Sequence, residues 1–167
     1  HSSLIRDPGE SSIKIAKAIQ SMSRDRPGPA AIECAIDVWG KRGPVPAIVP
    51  PAPRYTPKIN VDRVRAAAKI LGKAQRVLIV TGGGAQDAAA EVTLLSSMLQ
   101  APVLGYRRGR GVLDSRDPFS VTLPLGRDLW AEADAVLAVG TRLLNPMTQW
   151  GMDKALPVVR VDANPEE

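Results

Sequence analysis

The stretch RVLIVTGGGAQDAAAEVTLL, residues 76–95, opens as an unbroken apolar run and halts on Gly82, Gly83 and Gly84. It then resumes with Ala88, Val92, Leu95 and, just beyond, Leu99. An apolar run from Arg76 to Val80 bounded by glycine reads as a strand buried on both faces. The spacing after the glycines is that of one buried helical stripe. A strand that turns tightly into a helix through glycine can also bring backbone N–H groups and the positive end of a helix dipole to a phosphate. Taken alone, the triplet fits a plain tight turn equally well.

Working outward, the same alternation repeats. Val61, Val64, Ala68 and Leu71 predict an amphipathic helix ending at Gly72. Pro102–Leu104 begins a second strand, a short helix is expected near Arg127–Ala133, and Ala135–Val139 and Val158–Val161 are a third and a fourth strand. Nearly all-apolar strands alternating with helices predict an α/β domain, a Rossmann-like parallel sheet with helices on both faces. Upstream, Ile15, Ile19 and Met22 share one helical face, and DRPGP at 25–29 stops that helix. Ala30–Ile36 reads as a short buried strand with Cys34 as a small buried hydrophobe. A lone helix and strand have no second layer to close on, so they read as a fragment of another α/β domain. Between the two lies a segment, 40–59, in which six of twenty residues are proline, a density suited to a stiff extended linker. The expected organisation is therefore 1–39, linker 40–59, and a central domain over 60–167.

Composition narrows the function. The formal net charge of +5 is spread along the chain, and only 4% of residues are aromatic, which argues against nucleic-acid binding as the main role. No apolar run is long enough to span a bilayer and no signal peptide is recognisable, so the chain reads as soluble and cytoplasmic. One cysteine permits no internal disulfide, and one histidine, His1, with one cysteine permits no metal site of ordinary spacing. No Ser/His/Asp or Cys/His set, acid–base pair or P-loop is present, so no residue is assigned a catalytic role.

Ligands of a parallel α/β sheet sit beyond the carboxyl ends of its strands. Here those loops carry Gly82, Gly83 and Gly84, then Arg107, Arg108 and Arg110, then Gly140, Thr141 and Arg142, then Asp162. The glycine run lacks the third glycine of the dinucleotide fingerprint, and arginines stand where its ribose-binding carboxylate would be. That argues against a standard NAD site and favours phosphate. Thr141 and Arg142 offer hydroxyl and guanidinium groups, and Asp162 could accept hydrogen bonds from a ribose or adenine or simply end a strand.

The order of RPGPAAIECAIDVW (26–39), a proline-rich link, VTGGGA (80–85), RGRGVL (108–113), ADAVLAVGTRL (133–143) and VVRVDANPEE (158–167) resembles thiamine-diphosphate-dependent enzymes of the acetolactate synthase, benzoylformate decarboxylase and oxalyl-CoA decarboxylase group. The resemblance covers nearly the whole chain. It implies the end of a pyrimidine-binding domain followed by the central domain of a three-domain enzyme. Such enzymes are homodimers or homotetramers that use thiamine diphosphate and Mg²⁺ to decarboxylate or ligate a 2-oxo acid or its CoA ester. The activating glutamate and the GDG…N motif of the family are absent here, and Glu33 does not stand in for the former, so this region by itself is expected to be non-catalytic. The family's central domain continues past the segment that DANPEE resembles, which predicts a fragment. In that family the central domain binds FAD, ADP or, in other members, no nucleotide; by position, the resemblance places such contacts at Gly82, Gly83, Gly84, Tyr106, Arg107, Arg108, Gly140, Thr141, Arg142 and Asp162. The YRRGRG loop departs from the apolar loop of FAD-binding members, and its cations suit an anionic nucleotide or an interface better. A non-enzymatic Rossmann-like nucleotide-binding or regulatory module is the alternative reading.

Overall fold

The computed structural model describes residues 1–23, 27–47, 50, 58–151 and 155–164. The chain divides into two compact units, His1–Lys58 and Ile59–Glu167. Most of the proline-rich segment from 48 to 57, and the last three residues of DANPEE, lie outside the described residues.

In the first unit, β1 (Ser2–Ile5), α1 (Ser11–Ser23) and β2 (Ala31–Cys34) form a β–α–β unit whose strands pair in parallel, Ser2 opposite Ala31 and Ile5 opposite Cys34. The sequence reading lacked β1, because SSLI has only two adjacent apolar residues and no period to detect. Asp7 caps a short 3₁₀ turn by accepting from the Gly9 N–H at 2.8 Å, and Lys14 pairs with Glu10 at 2.7 Å. The expected apolar face of α1 is turned outward: Ile15, Ile19 and Met22 are 44%, 41% and 40% exposed, whereas Ser12 and Ala18 are buried. A two-stranded ribbon covers only a narrow stripe of a helix, and small side chains permit the closest approach. Cys34 is half-buried rather than a core residue.

The second unit begins with α2 (Val61–Leu71), capped by Asn60, whose side-chain oxygen accepts from the Arg63 N–H at 3.1 Å. Then follow β3 (Val77–Thr81), a 3₁₀ turn over Gly83–Ala88, α3 (Ala89–Leu99), β4 (Val103–Gly105), β5 (Ser120–Val121), α4 (Leu123–Glu132), β6 (Ala135–Val139), α5 (Leu144–Gln149) and β7 (Val158–Val161). The five strands form one parallel sheet in the order β5-β4-β3-β6-β7. Every residue of β3 and β6 is buried, as expected for the two central strands. Side chains alternate between two cores. Val77 and Ile79 pack with Leu71, Val92, Val103 and Leu137, while Leu78 and Val80 pack with Leu104, Trp130, Val136 and Leu143.

Three details differ from the pattern-based reading. The stripe of α2 is buried only at Leu71, since Val61 and Val64 are 55% and 54% exposed. The helix α4 starts earlier than expected, at Leu123, because Pro124 suits a first turn. The strand β5 and the helix α5 went undetected, β5 for its length of two residues and α5 for the proline inside its six.

Candidate functional site

The strand order places a topological switch between β3 and β6, since the chain moves from β3 to β4 on one side and returns to β6 on the other. At the carboxyl ends of these two strands, backbone closes the gap. The Gly82 N–H donates to the Val139 carbonyl at 2.9 Å and the Gly84 N–H to the Gly140 carbonyl at 3.1 Å. A Cβ on Gly82 would lie 2.3 Å from the Gly140 oxygen, and one on Gly84 2.9 Å from the Gly140 Cα. Gly140 itself adopts a left-handed φ of 58°, where side chains are strained. Gly82, Gly84 and Gly140 are therefore glycines for packing against one another.

This alters the phosphate argument. Gly82, Gly84 and Ala85 already donate their N–H groups, the last to the Gly82 carbonyl at 3.1 Å. The expected helix does not follow the glycines directly, because a 3₁₀ turn intervenes and α3 starts only at Ala89. Two of the three glycine N–H groups are thus turned to the β6 end instead of forming the cradle that the sequence suggests. Gly83 differs from Gly82 and Gly84 in its surroundings: the atoms nearest a Cβ there belong to the Arg108 side chain, its Cβ at 3.3 Å and its Nε at 3.8 Å.

The loop after β4 is built to lie over this turn. The Tyr106 N–H donates to the Thr81 carbonyl at 3.0 Å, and the Gly109 N–H to the Tyr106 carbonyl at 2.8 Å. Gly109 sits so close to the end of β3 that a Cβ there would lie 2.1 Å from the Thr81 oxygen. The buried Thr81 hydroxyl lies 3.2 Å from the Gly109 carbonyl, which it can reach as donor. Arg107 takes a left-handed φ of 46°, and its guanidinium carbon stands 5.4 Å from the centroid of the Tyr106 ring, a cation–π contact. Arg108 and Arg142 are both exposed.

The structure thus brings most of the expected residues into one cluster. Gly82, Gly84, Gly140 and Thr141 touch, Arg108 lies on Gly83, and Tyr106 and Arg107 flank them. Arg142 follows Thr141 on the loop after β6, where the Thr141 hydroxyl accepts from the Leu143 N–H at 3.2 Å. Asp162 stands one strand away at the end of β7, and its Oδ1 accepts from the Asn164 N–H at 2.9 Å, so part of this carboxylate serves the strand end. Thr81, Gln86 and Gly109 escaped sequence reasoning. Only Thr81 left a signal, a hydroxyl closing an otherwise apolar buried strand.

Two cavities lie at opposite ends of the sheet. One of about 330 Å³ opens between Gly105, Arg110, Gly111 and Thr122, on the β4–β5 side of the arginine loop. Another of about 590 Å³ lies at the opposite end of the sheet beside Trp130, Asp134, Trp150 and Pro157. Polar groups in the latter are committed to the fold. The Asp134 carboxylate accepts from the N–H groups of Gln75 and Arg76 at 2.8 Å each, and the Trp130 indole N–H donates to the Gly151 carbonyl at 2.8 Å. The backbone N–H bonds to Gln75 and Arg76 hold the Asp134 carboxyl below the usual carboxylate range. Its chemistry points to structure, and the exposed cations at the carboxyl ends are the better ligand groups.

The family profile described as thiamine pyrophosphate enzyme, central domain, matches residues 64–167. The acetolactate synthase large subunit of Parasynechococcus marenigrum is 34% identical over 175 residues, covering 96% of this chain and 28% of that protein. A probable 2-ketoarginine decarboxylase of Pseudomonas aeruginosa is 32% identical over 177 residues, covering 99% of this chain and 31% of that protein. Among solved structures, an enzyme from Mycobacterium smegmatis described as thiamin diphosphate-dependent superposes with a TM-score of 0.72 at 16% identity. That superposition covers 98% of this chain and 34% of the other, and it speaks to the fold.

The chain belongs to the thiamine pyrophosphate enzyme family, and its matched region is that family's central domain. It is acetolactate synthase-like, and it spans less than a third of the length of the two relatives just described.

Proposed function

We propose that this chain is the central part of a thiamine-diphosphate- and Mg²⁺-dependent decarboxylase or carboligase acting on a 2-oxo acid or its CoA ester, in a cytoplasmic homodimer or homotetramer. Residues 1–39 are the end of the pyrimidine-binding domain and 40–59 the linker to the central domain. The observation that carries this reading is the likeness to an acetolactate synthase large subunit and a probable 2-ketoarginine decarboxylase along nearly the whole chain. Among the described residues no group of three His, Cys, Asp or Glu side chains could hold a metal ion. These residues therefore do not fit a seat for Mg²⁺, and no catalytic step is assigned to them. Among the described residues, too, no helix is long and apolar enough to cross a membrane.

The contribution of this region is scaffolding and the binding of an anionic nucleotide over the closed glycine turn. Arg108 and Arg142 supply the charge for a diphosphate, Gly83 and Thr141 the adjoining surface, and Asp162 an acceptor for the sugar or base. Because the Gly82 and Gly84 N–H groups are already bonded, the diphosphate is held mainly by guanidinium groups. That favours a nucleoside diphosphate such as ADP over FAD, whose ring system would have to run along a cationic loop.

The test uses the intact polypeptide as its source cells make it. Turnover of 2-oxo acids or their CoA esters that requires thiamine diphosphate and Mg²⁺, with saturable ADP binding weakened by Arg142→Ala, is the expected result. Nucleotide binding without any such turnover would favour the non-enzymatic module. Turnover without binding of ADP or FAD would leave the glycine turn purely structural.

A further inference from the structure

Gln86 stands on the 3₁₀ turn that follows the glycine triplet, and its side chain reaches across to the arginine loop. Its Nε2 donates to two carbonyls of that loop, those of Arg108 and, at 3.4 Å, Arg110. Both partners are acceptors only, so the amide must present its two N–H groups to them and its orientation is not ambiguous. The carbonyls it grips flank Gly109, the residue pressed onto the end of β3. Just upstream is Arg107, held in the left-handed region that a non-glycine residue rarely adopts. Strain of this kind persists only where neighbouring contacts fix the backbone on both sides. On one side those contacts are the Tyr106 and Thr81 hydrogen bonds; on the other they are the grip of Gln86.

We infer that Gln86 is a positioning residue for the anion site, clamping the loop after β4 so that Arg108 lies over Gly83. This rests on the nucleotide reading of the site proposed above. The clamp spans two strand-end loops, and it replaces what the glycine N–H groups do in a phosphate cradle. The turn contributes a side chain that orders a cation, since its Gly82, Gly84 and Ala85 N–H groups are engaged. Without the clamp, Arg107 relaxes out of the left-handed region and the carbonyls of 108 and 110 turn to water. Arg108 then occupies its place over Gly83 only part of the time. Apparent affinity falls in proportion to the fraction of loops in the competent arrangement.

The experiment is calorimetric titration of ADP into the intact polypeptide carrying Gln86→Met, Gln86→Glu, Arg108→Ala, or Arg108→Ala combined with Gln86→Met. Methionine keeps the length and removes the donors; glutamate keeps the shape and sets an acceptor against two carbonyls. Both Gln86 variants should raise the ADP Kd roughly five- to tenfold, as a competent fraction of about a tenth to a fifth would. The thermal midpoint should change little, because Gln86 is exposed. In the Arg108→Ala background the Gln86 effect should disappear, which a merely structural role would not produce. Binding that depends on Arg108 yet ignores both Gln86 variants overturns the clamp and leaves the site standing, as does a Gln86 effect undiminished without Arg108. A large loss of thermal midpoint in both Gln86 variants overturns it in favour of a structural role. No saturable ADP binding to the unmodified protein overturns clamp and site together.

Discussion

At the carboxyl end of the β3–β6 pair, backbone meets backbone: Gly82 and Gly84 donate to the carbonyls of Val139 and Gly140, and three glycines make the approach possible. At the amino end of the same pair a side chain does the closing. Asp134, just before β6, accepts from the Gln75 and Arg76 N–H groups while its own N–H donates to the Arg76 carbonyl at 3.1 Å. The two closures serve one geometric purpose with different chemistry. A glycine clasp is steric and holds no charge, so it is indifferent to pH and intolerant of any added atom. A carboxylate clasp tolerates changes of shape but depends on its ionisation. The end proposed to bind a nucleotide is closed by the group that keeps side-chain volume and charge out of the way, leaving the surrounding arginines to set the field.

Adding one carbon to the glycine clasp should therefore be the most damaging single change. Alanine at 140 would carry its Cβ 2.4 Å from the Gly84 carbonyl carbon and would sit at a positive φ. Left-handed strain and overpacking together cost about 2–5 kcal/mol, a large share of the ~5–15 kcal/mol that holds a domain folded. Denaturant unfolding of Gly140→Ala should show that loss at neutral and acid pH alike. Near-native stability would mean that the backbone contact is not a constraint at all.

The opposite closure should fail in a pH-dependent way. Because its hydrogen bonds hold the Asp134 carboxyl low when folded, the stabilisation is present above the unfolded carboxylate range and is lost as pH falls through the folded value. Asn at 134 offers one acceptor and turns a donor toward the second N–H. Asp134→Asn should lower the thermal midpoint at pH 7, and the gap from the unmodified protein should narrow below about pH 4. A gap that stays constant from pH 7 to pH 3 would show that shape, and not charge, closes the amino end.

The legibility of these features followed from how local their causes are. β3, β6 and β7 could be read because apolar residues dominate each, interrupted only by Thr81 at the end of β3 and Arg160 in β7, and the central pair is buried on both faces. β1 and β5 could not, since their pairing depends on distant partners and their sequences carry no period. The shared face of Ile15, Ile19 and Met22 on α1 was legible but its outward direction was not, because periodicity marks an apolar face without saying what covers it. At the site, the residues themselves were legible, but the glycines' partners were not. Gly84 touching Gly140 is a contact across fifty-six positions of sequence, and a motif of glycines reads alike whether its N–H groups face a phosphate or a carbonyl. Gln86 left no mark because a glutamine in a polar turn is ordinary until its two carbonyls are known.

The smallest expected effect on stability is the one that divides the triplet. Gly83 has no positive φ, and its nearest neighbours belong to Arg108, an exposed and flexible side chain, with nothing of the β6 backbone among them. Alanine there lowers the entropy of the unfolded chain, which stabilises by about 0.4–1 kcal/mol. The 3.3 Å approach to the Arg108 Cβ works against that gain. Gly83→Ala should accordingly stay within about 0.5 kcal/mol of the unmodified protein, the ordinary range for a surface change. Its ADP affinity should nonetheless fall, since the added methyl pushes on the side chain proposed to hold the diphosphate. Gly84→Ala is the internal control, because its Cβ would meet the Gly140 backbone at 2.9 Å and backbone cannot swing aside. If both variants lose the same stability, the triplet is one structural unit and Gly83 has no separate role. If only Gly84→Ala loses stability while Gly83→Ala loses affinity, one motif holds two functions, with the middle glycine facing the ligand and its neighbours facing the sheet.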